Sequence, residues 1–313
     1  MNINIYGSTG TIGLKTLEIV EKNFSNIKIN LLCAKSNIKL LKKQIHKFKP
    51  KYAFLNDHYK FINFPGKIEN TYILNFEELK NYLLSSKSDY SVLAISGYKS
   101  LYYLEHIISN TDNLGIATKE VIVSAGHIFK KKNFFKKTNI YPLDSEHFSI
   151  HEFFSKIHYN KPIKKILLTA SGGPFYKRKF KTLKNIKFNE AIKHPRWKMG
   201  YKNSIDSATL VNKCLELVEA YYLFNIPFDK LDILIHPEAI VHSVIEYENY
   251  ITHFNLFKND MKIPIFNFLQ STGVKNRKNS KNLYIKNLSS LNFQNVRNEI
   301  FPIYKFFKNI DKT

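Results

Sequence analysis

The sequence predicts an α/β protein in which a mainly parallel sheet is followed by a second domain of mixed α+β character. Two observations carry this. Apolar β-type runs alternate with amphipathic helical patterns through the first half of the chain, which is how βαβ units read. Past Leu143 that alternation gives way to longer strands around one strong helical pattern. In order, Ile3–Tyr6 is a short strand ending in a glycine turn, and Leu17, Val20 and Phe24 recur behind it on one helical face. Lys28–Ala34 reads as a strand, Asn37–Phe48 as an amphipathic helix, Tyr52–Leu55 as a strand and Phe76–Leu84 as a helix. Tyr90–Ile95 and Leu114–Ala117 are strands on either side of a helix at Leu101–Ile108. Ile163–Thr169, Leu231–Ile235 and Ile240–Tyr247 are strands, and Ser207–Leu223 is the strong helix. Val274–Asn282, rich in Lys, Asn and Ser, reads as a linker. The expected organisation is a first domain over 1–143, a second over 144–273, and a linker with a short tail over 274–313.

Composition excludes several classes. At 313 residues the chain is long enough for about two domains, and 44% hydrophobic with 23% charged residues is ordinary for a folded protein. Its best apolar runs, Val92–Ile95 and Ile166–Leu168, are far short of the ~20 residues of a membrane span. The start, Met1-Asn2-Ile3-Asn4-Ile5, has neither a charged nor an apolar leader region. Cys33 and Cys214 are the only cysteines and form no CxxC pair, so a reducing cytoplasm is expected. The formal charge of +23 suggests a nucleic-acid partner at first sight. The excess is nearly all lysine, however. Arginine, the residue suited to bidentate phosphate and base contacts, occurs only at Arg178, Arg196, Arg277 and Arg297. Lysines spread evenly among Asn, Ile, Phe and Tyr fit drift toward AT-rich codons, and no nucleic-acid or membrane partner is expected.

Six segments carry chemistry. Gly7-Ser8-Thr9-Gly10-Thr11-Ile12-Gly13 lies between a strand and a helix, where a Rossmann-like fold seats a dinucleotide pyrophosphate on the helix N-terminus. The next strand ends in Lys35-Ser36-Asn37 instead of an acidic residue, which favours the 2′-phosphate of NADP. Asp144-Ser145-Glu146 puts two carboxylates on one side if the backbone is extended, which with a third carboxylate makes an oxygen-rich site for Mg²⁺ or Mn²⁺; taken alone, the triplet reads better as a solvated loop. In the helix after Asp206, a plausible N-cap, Asn212, Lys213 and Glu216 share a polar face. That face is either an exposed Lys–Glu pair, or a phosphate site of Ser207, Asn212 and Lys213 with Glu216 as a third metal carboxylate. Ser171-Gly172-Gly173-Pro174 can present backbone N–H groups to an anion, and His194–Gly200, with the single tryptophan, Trp197, reads as a lid.

Together these segments resemble one family, the 1-deoxy-D-xylulose 5-phosphate (DXP) reductoisomerases. The match runs through GSTGTIG (Gly7–Gly13), KE (Lys119-Glu120), DSEH (Asp144–His147), SGGPF (Ser171–Phe175) and HPRWKMG (His194–Gly200). It continues through DSATLVNKCLE (Asp206–Glu216), IHPEAIVHS (Ile235–Ser243) and NDMKIPI (Asn259–Ile265), all in the family's order. The resemblance implies NADPH- and metal-dependent rearrangement and reduction of DXP to 2-C-methyl-D-erythritol 4-phosphate for isoprenoid synthesis, in a cytoplasmic homodimer. It implies that Gly7, Thr9, Gly10, Thr11, Ile12, Gly13, Lys35, Ser36, Asn37, Thr118, Glu120 and Gly200 bind NADPH. Asp144, Glu146 and Glu216 would hold Mg²⁺ or Mn²⁺, and with Lys119 and His194 form the catalytic set. Lys119, Ser145, Glu146, Ser171, His194, Trp197, Ser207, Asn212, Lys213 and Glu216 would contact the sugar phosphate. The sequence departs from the family pattern at Thr118 (usually Asn), Cys214 (usually Gly), Lys35 (usually Gly) and Ser96–Lys99, and its C-terminal helical domain is expected to be largely missing. A decayed, silent relative, another NADP-dependent dehydrogenase and a lysine-rich nucleic-acid binder are the competing expectations.

Overall fold

The computed structural model describes residues 1–156, 161–193, 200–271 and 290–309; His194, Trp197 and the predicted linker at Val274–Asn282 lie outside the described residues. The chain divides into two compact units, Met1–Asp144 with Asp260–Lys281, and Ser145–Asn259 with Asn282–Thr313.

The first unit is built on an eight-stranded sheet. Its strands are β1 (Asn2–Tyr6), β2 (Lys28–Ala34), β3 (Tyr52–Leu55), β4 (Lys67–Ile68), β5 (Thr71–Leu74), β6 (Ser88–Leu93), β7 (Thr111–Ile116) and β8 (Asn139–Pro142). The order is β4-β5-β3-β2-β1-β6-β7-β8, parallel except where β4 meets β5. Parallel strands covered on both faces must be apolar on both, and Ile3, Ile5, Leu31, Leu32 and Val92 have no exposed surface. The chain runs outward from β1 through β2 and β3 on one side and through β6, β7 and β8 on the other. That reversal leaves a crevice at the carboxyl ends of β1 and β6, the topological switch point where such sheets bind ligands.

The boundaries differ from the sequence reading: the stretch from Asn282 onward groups with the second unit and is not a separate tail. Helix Lys262–Gln270, expected in the second domain, belongs to the first unit. Its apolar residues supply part of that unit's core: Ile265, Phe268 and Leu269 are fully buried, and the Phe268 ring stands edge-on to Tyr90 at 5.6 Å. Lys262 reinforces the join by pairing with Glu18 on helix Thr11–Asn23 at 2.7 Å.

The second unit carries β9 (Ile163–Ala170), β10 (Leu231–Ile235), β11 (Val241–Tyr247), β12 (Thr252–Leu256) and β13 (Gln294–Asn295) in the order β12-β11-β9-β10-β13. Only β9 and β10 run parallel. Helices Ser145–Lys156 and Val211–Phe224 contribute Ile150, Phe153, Cys214 and Leu217 to the core beneath. The C-terminal helix Pro302–Phe307 is tied down through Asp232 on β10, which accepts from Tyr304 and pairs with Lys308 at 2.8 Å. Burial alone raises the Asp232 carboxyl, but these bonds and the Ile233 N–H outweigh it and hold it below its ordinary value.

The single helix expected over Ser207–Leu223 is two helices, Tyr201–Ala208 and Val211–Phe224. The break has a local cause. Thr209 turns its hydroxyl back to the Ile205 carbonyl, and Leu210 adopts a left-handed φ of 65° while burying its side chain to 1% exposure. A left-handed leucine costs roughly 1–2 kcal/mol, offset here by burial in the core. Asp206 therefore sits inside the first helix, paired with Lys202, and is not an N-cap.

Candidate active site

In the first unit the glycine turn occupies the crevice. Two of its glycines are required by close packing. A Cβ on Gly7 (φ +95°) would lie 2.5 Å from the Ala94 carbonyl oxygen, and one on Gly13 would lie 2.4 Å from the Gly7 oxygen. Gly10 is different: it is exposed, and a Cβ there would meet only the Gly7 oxygen, at 3.4 Å. It is also the N-cap of helix Thr11–Asn23, with no side chain capping the first N–H groups. A helix N-terminus bordered by a small exposed residue is suited to an anion.

The cavity beside it, about 990 Å³, is lined by Gly7, Thr9, Gly10, Lys35, Asn37 and, further out, Phe76, Tyr98 and Tyr103. Among the expected cofactor residues, Thr11 is exposed at the helix start, whereas Ile12 turns its side chain into the core and offers only its backbone. Asn37 caps helix Ile38–Phe48 through its side-chain oxygen, at 3.1 Å from the Leu40 N–H. Ser36 receives Lys60 on its carbonyl at 3.1 Å, so a lysine invisible to motif reading stands beside this turn. Thr118 is buried and donates its hydroxyl to the Ile95 carbonyl at 2.8 Å, so that group holds two strand ends together instead of facing the cavity. Glu120 follows in the first turn of helix Lys119–Lys131, and Lys119 lies 3.5 Å from Asp144.

The acidic residues come together. Ligand atoms of Asp144, Glu146 and Glu216 all lie within 4.8 Å of one another. The expected extended backbone is not how this happens: helix Ser145–Lys156 begins right after Asp144, and Glu146 lies in its first turn. Ser145, buried, donates to Glu146 at 2.6 Å and so orients that carboxylate. The Lys213 ammonium reaches Glu146 at 2.9 Å and Glu216 at 2.5 Å, and Asn212 donates to the other Glu216 oxygen. A set of three hard oxygen donors at this spacing fits Mg²⁺ or Mn²⁺ and offers nothing to a soft metal.

His147, named above only as part of DSEH, is a fully buried strut. Its Nε2 lies 2.9 Å from the Glu216 carbonyl oxygen and its Nδ1 3.4 Å from Glu219, fixing the helix that carries Glu146 to the one that carries Glu216. Nothing in the sequence spacing marks this role, because the contact spans two helices.

Two of the segments that carry the expected phosphate residues meet. Ser171 follows β9, and at Gly173 (φ +63°) a Cβ would lie 3.0 Å from the Ser207 carbonyl oxygen, so the Ser171–Gly173 turn packs against the end of helix Tyr201–Ala208. The break at Leu210 then starts a new helix at Val211, placing Asn212 and Lys213 in its first turn. Gly200 caps helix Tyr201–Ala208.

Comparison with known proteins shows the family. Residues 3–126 match the family model "1-deoxy-D-xylulose 5-phosphate reductoisomerase", and residues 140–224 match that of the reductoisomerase C-terminal domain. The reductoisomerase of Pelagibacter ubique is 38% identical over 98% of this chain and 80% of its own length. The chain belongs to the DXP reductoisomerase family. The Sulfurihydrogenibium reductoisomerase is 36% identical over 97% of this chain and 78% of its own length. Among solved structures, a reductoisomerase in complex with NADPH, fosmidomycin and magnesium superposes with a TM-score of 0.85 at 30% identity, covering 98% of this chain and 78% of that one. The Zymomonas mobilis reductoisomerase with NADPH gives 0.87 at 28%, covering 100% and 81%. The Rossmann-like reading of the first unit agrees with these family members.

Proposed function

We propose that this reductoisomerase converts DXP to 2-C-methyl-D-erythritol 4-phosphate with NADPH and a divalent cation. The observation that supports this most directly is the convergence of Asp144, Glu146 and Glu216 with Lys213 among them. A cation on the three carboxylates supplies Lewis-acid polarisation of the substrate's ketone and hydroxyl oxygens for the skeletal rearrangement, and NADPH supplies the hydride that reduces the aldehyde. The chain's own residues do the rest. The N-terminus of helix Thr11–Asn23 and the Thr9–Gly10 backbone hold the cofactor's diphosphate, and Lys35 and Lys60 bring positive charge to its 2′-phosphate end. Ser171, Ser207, Asn212 and Lys213 hold the substrate phosphate at a helix start. Phosphate binding fixes the reacting carbons, which is where remote binding energy accelerates a rearrangement. Lys119, paired with Asp144 at 3.5 Å, contacts the substrate's oxygens, while Ser145 and His147 keep the carboxylates in place. His194 and Trp197 complete the sugar contacts and the lid.

The working form is a cytoplasmic homodimer. No helix among the described residues is long and apolar enough to cross a membrane. The edge strand β12 leaves Phe254 47% exposed beside an exposed Ile251, the kind of edge that pairs with another. The deciding experiment is NADPH oxidation by the purified chain with DXP, with and without Mg²⁺ or Mn²⁺. Metal-dependent turnover bears the proposal out. NADPH binding without turnover identifies a silent relative, and tight, salt-sensitive binding to duplex DNA in its place refutes the proposal.

A further inference from the structure

Ser8 lies in the middle of the glycine turn, between Gly7 and Thr9, with no exposed surface. Its hydroxyl donates to Oε1 of Gln44 at 2.8 Å, and Nε2 of the same Gln44 donates back to the Ser8 carbonyl oxygen at 2.8 Å. Gln44 is only 4% exposed and shares the buried face of helix Ile38–Phe48 with Leu41 and Ile45. A polar side chain there breaks the apolar pattern of the helix, and both ends of its amide are spent on one residue of the turn.

The geometry has a directional consequence. A trans peptide is planar, with its carbonyl and its N–H on opposite sides. Because Gln44 draws the Ser8 carbonyl into the protein interior, the Thr9 N–H of the same peptide is turned the other way, and Thr9 lines the cavity. The Gly7 and Ser8 N–H groups, by contrast, are both spent on the Cys33 carbonyl at 2.9 and 2.8 Å. We propose that Gln44 is a positioning residue for the cofactor: by pinning the Ser8–Thr9 peptide it presents the Thr9 N–H to the NADPH diphosphate without touching the cofactor itself. The inference rests on the first-unit cavity being the NADPH site.

Three variants test it, each assayed for NADPH Kd, DXP KM, kcat and melting temperature. Gln44→Met keeps the length and loses both bonds. Gln44→Glu keeps the acceptor for the Ser8 hydroxyl but, when ionised, sets a negative charge against the Ser8 carbonyl. Ser8→Ala loses the hydroxyl bond and keeps the carbonyl bond. Gln44→Glu weakens NADPH about tenfold or more above neutral pH, the equivalent of one lost bond of about 1.4 kcal/mol, while Ser8→Ala stays within about threefold and DXP KM moves less than twofold. Lowering the pH protonates the introduced carboxyl, which can donate again, so the Gln44→Glu deficit shrinks at acid pH relative to wild type. A purely structural role moves the melting temperature and leaves the NADPH Kd of folded protein and its pH profile unchanged. If Gln44→Met does not fold, the Gln44→Glu and Ser8→Ala comparison at two pH values decides. Wild-type NADPH affinity in Gln44→Glu, or an equal loss in Ser8→Ala, overturns the proposal. Failure of the wild-type protein to bind NADPH removes the cavity assignment and the inference with it.

Discussion

The three glycines of the turn separate folding from binding, and substituting each by alanine measures the separation. At Gly13 the new methyl would stand 2.4 Å from the Gly7 oxygen and 2.6 Å from the Ser8 Cα, both backbone atoms that cannot rotate aside. At Gly7 it would stand 2.5 Å from the Ala94 oxygen at a φ that alanine rarely adopts. Overpacking against fixed backbone costs about 3 kcal/mol at either position. At Gly10 the backbone is extended, φ −83° and ψ 173°, and the methyl meets nothing closer than 3.4 Å. There the gain from a stiffer unfolded chain and the loss of a glycine N-cap are each below about 1 kcal/mol and opposite in sign, so stability moves by less than ~0.5 kcal/mol. The methyl nevertheless projects beside the helix N-terminus in the cavity, and the NADPH Kd should rise tenfold or more. Urea unfolding paired with NADPH titration reads both quantities on the same samples. A Gly10→Ala protein that binds NADPH as wild type does refutes the assignment of the pyrophosphate to this turn, and a Gly13→Ala protein of unchanged stability refutes the packing argument.

Other expectations concern the second unit and the charged joins. Glu216→Gln removes one of three carboxylates and should weaken Mn²⁺ binding and turnover on the order of 100-fold, with NADPH affinity unchanged; calorimetric metal titration checks it. Lys213→Ala should raise the DXP KM about 30-fold, the worth of a charge-assisted bond to phosphate, and an unaltered KM counts against that contact. Hydrogen bonds from Lys262 and Lys22 hold the Glu18 carboxyl down at about 2. A carboxyl depressed on folding stabilises above its unfolded value and loses that stability as pH falls, here between about 4.5 and 2. Because the groups are 35–39% exposed, Glu18→Gln should cost only ~0.5 kcal/mol at pH 7 and nothing at pH 2, read by chemical unfolding at both. Burial pushes the Cys214 thiol up to about 12, and Cys33 is raised further by the same cause, so neither should react with a thiol reagent until the protein unfolds.

Much of this architecture was readable because local and global preferences agree. Lys28–Ala34 and Tyr52–Leu55 are largely buried parallel strands, and their expected bounds match the structure residue for residue. The glycine turn was legible for a related reason, since a strand, a tight turn and a helix in succession leave few alternatives. The parts that were missed are those decided by distant partners. Strands β4 and β13 are only two residues long and exist because a neighbour pairs with them. The break at Leu210 comes from the Thr209 hydroxyl and a left-handed leucine whose side chain is held in the second core, not from any glycine or proline. Helix Lys262–Gln270 carries an apolar pattern that does not say which core it completes. In the site, motif and spacing single out the carboxylates and Lys213 but only the family resemblance gives them roles, whereas His147, Gln44 and Lys60 carry no signal because their contacts join elements 20 to 70 residues apart.

The placement of Phe268 reaches back to how the chain is made. A ribosome finishes β1 to β8 more than a hundred residues before it reaches Ile265, Phe268 and Leu269, yet those side chains fill the space against Tyr90, Tyr141 and Leu143. The nascent first unit must therefore hold a sheet with an open seam while the whole of Ser145–Asn259 is synthesised. Its apolar inner wall is in that interval a surface for chaperones and a hazard for aggregation. Closure of the first unit becomes a late event in biosynthesis, after Asp144, Glu146 and Glu216 have already been added to the growing chain.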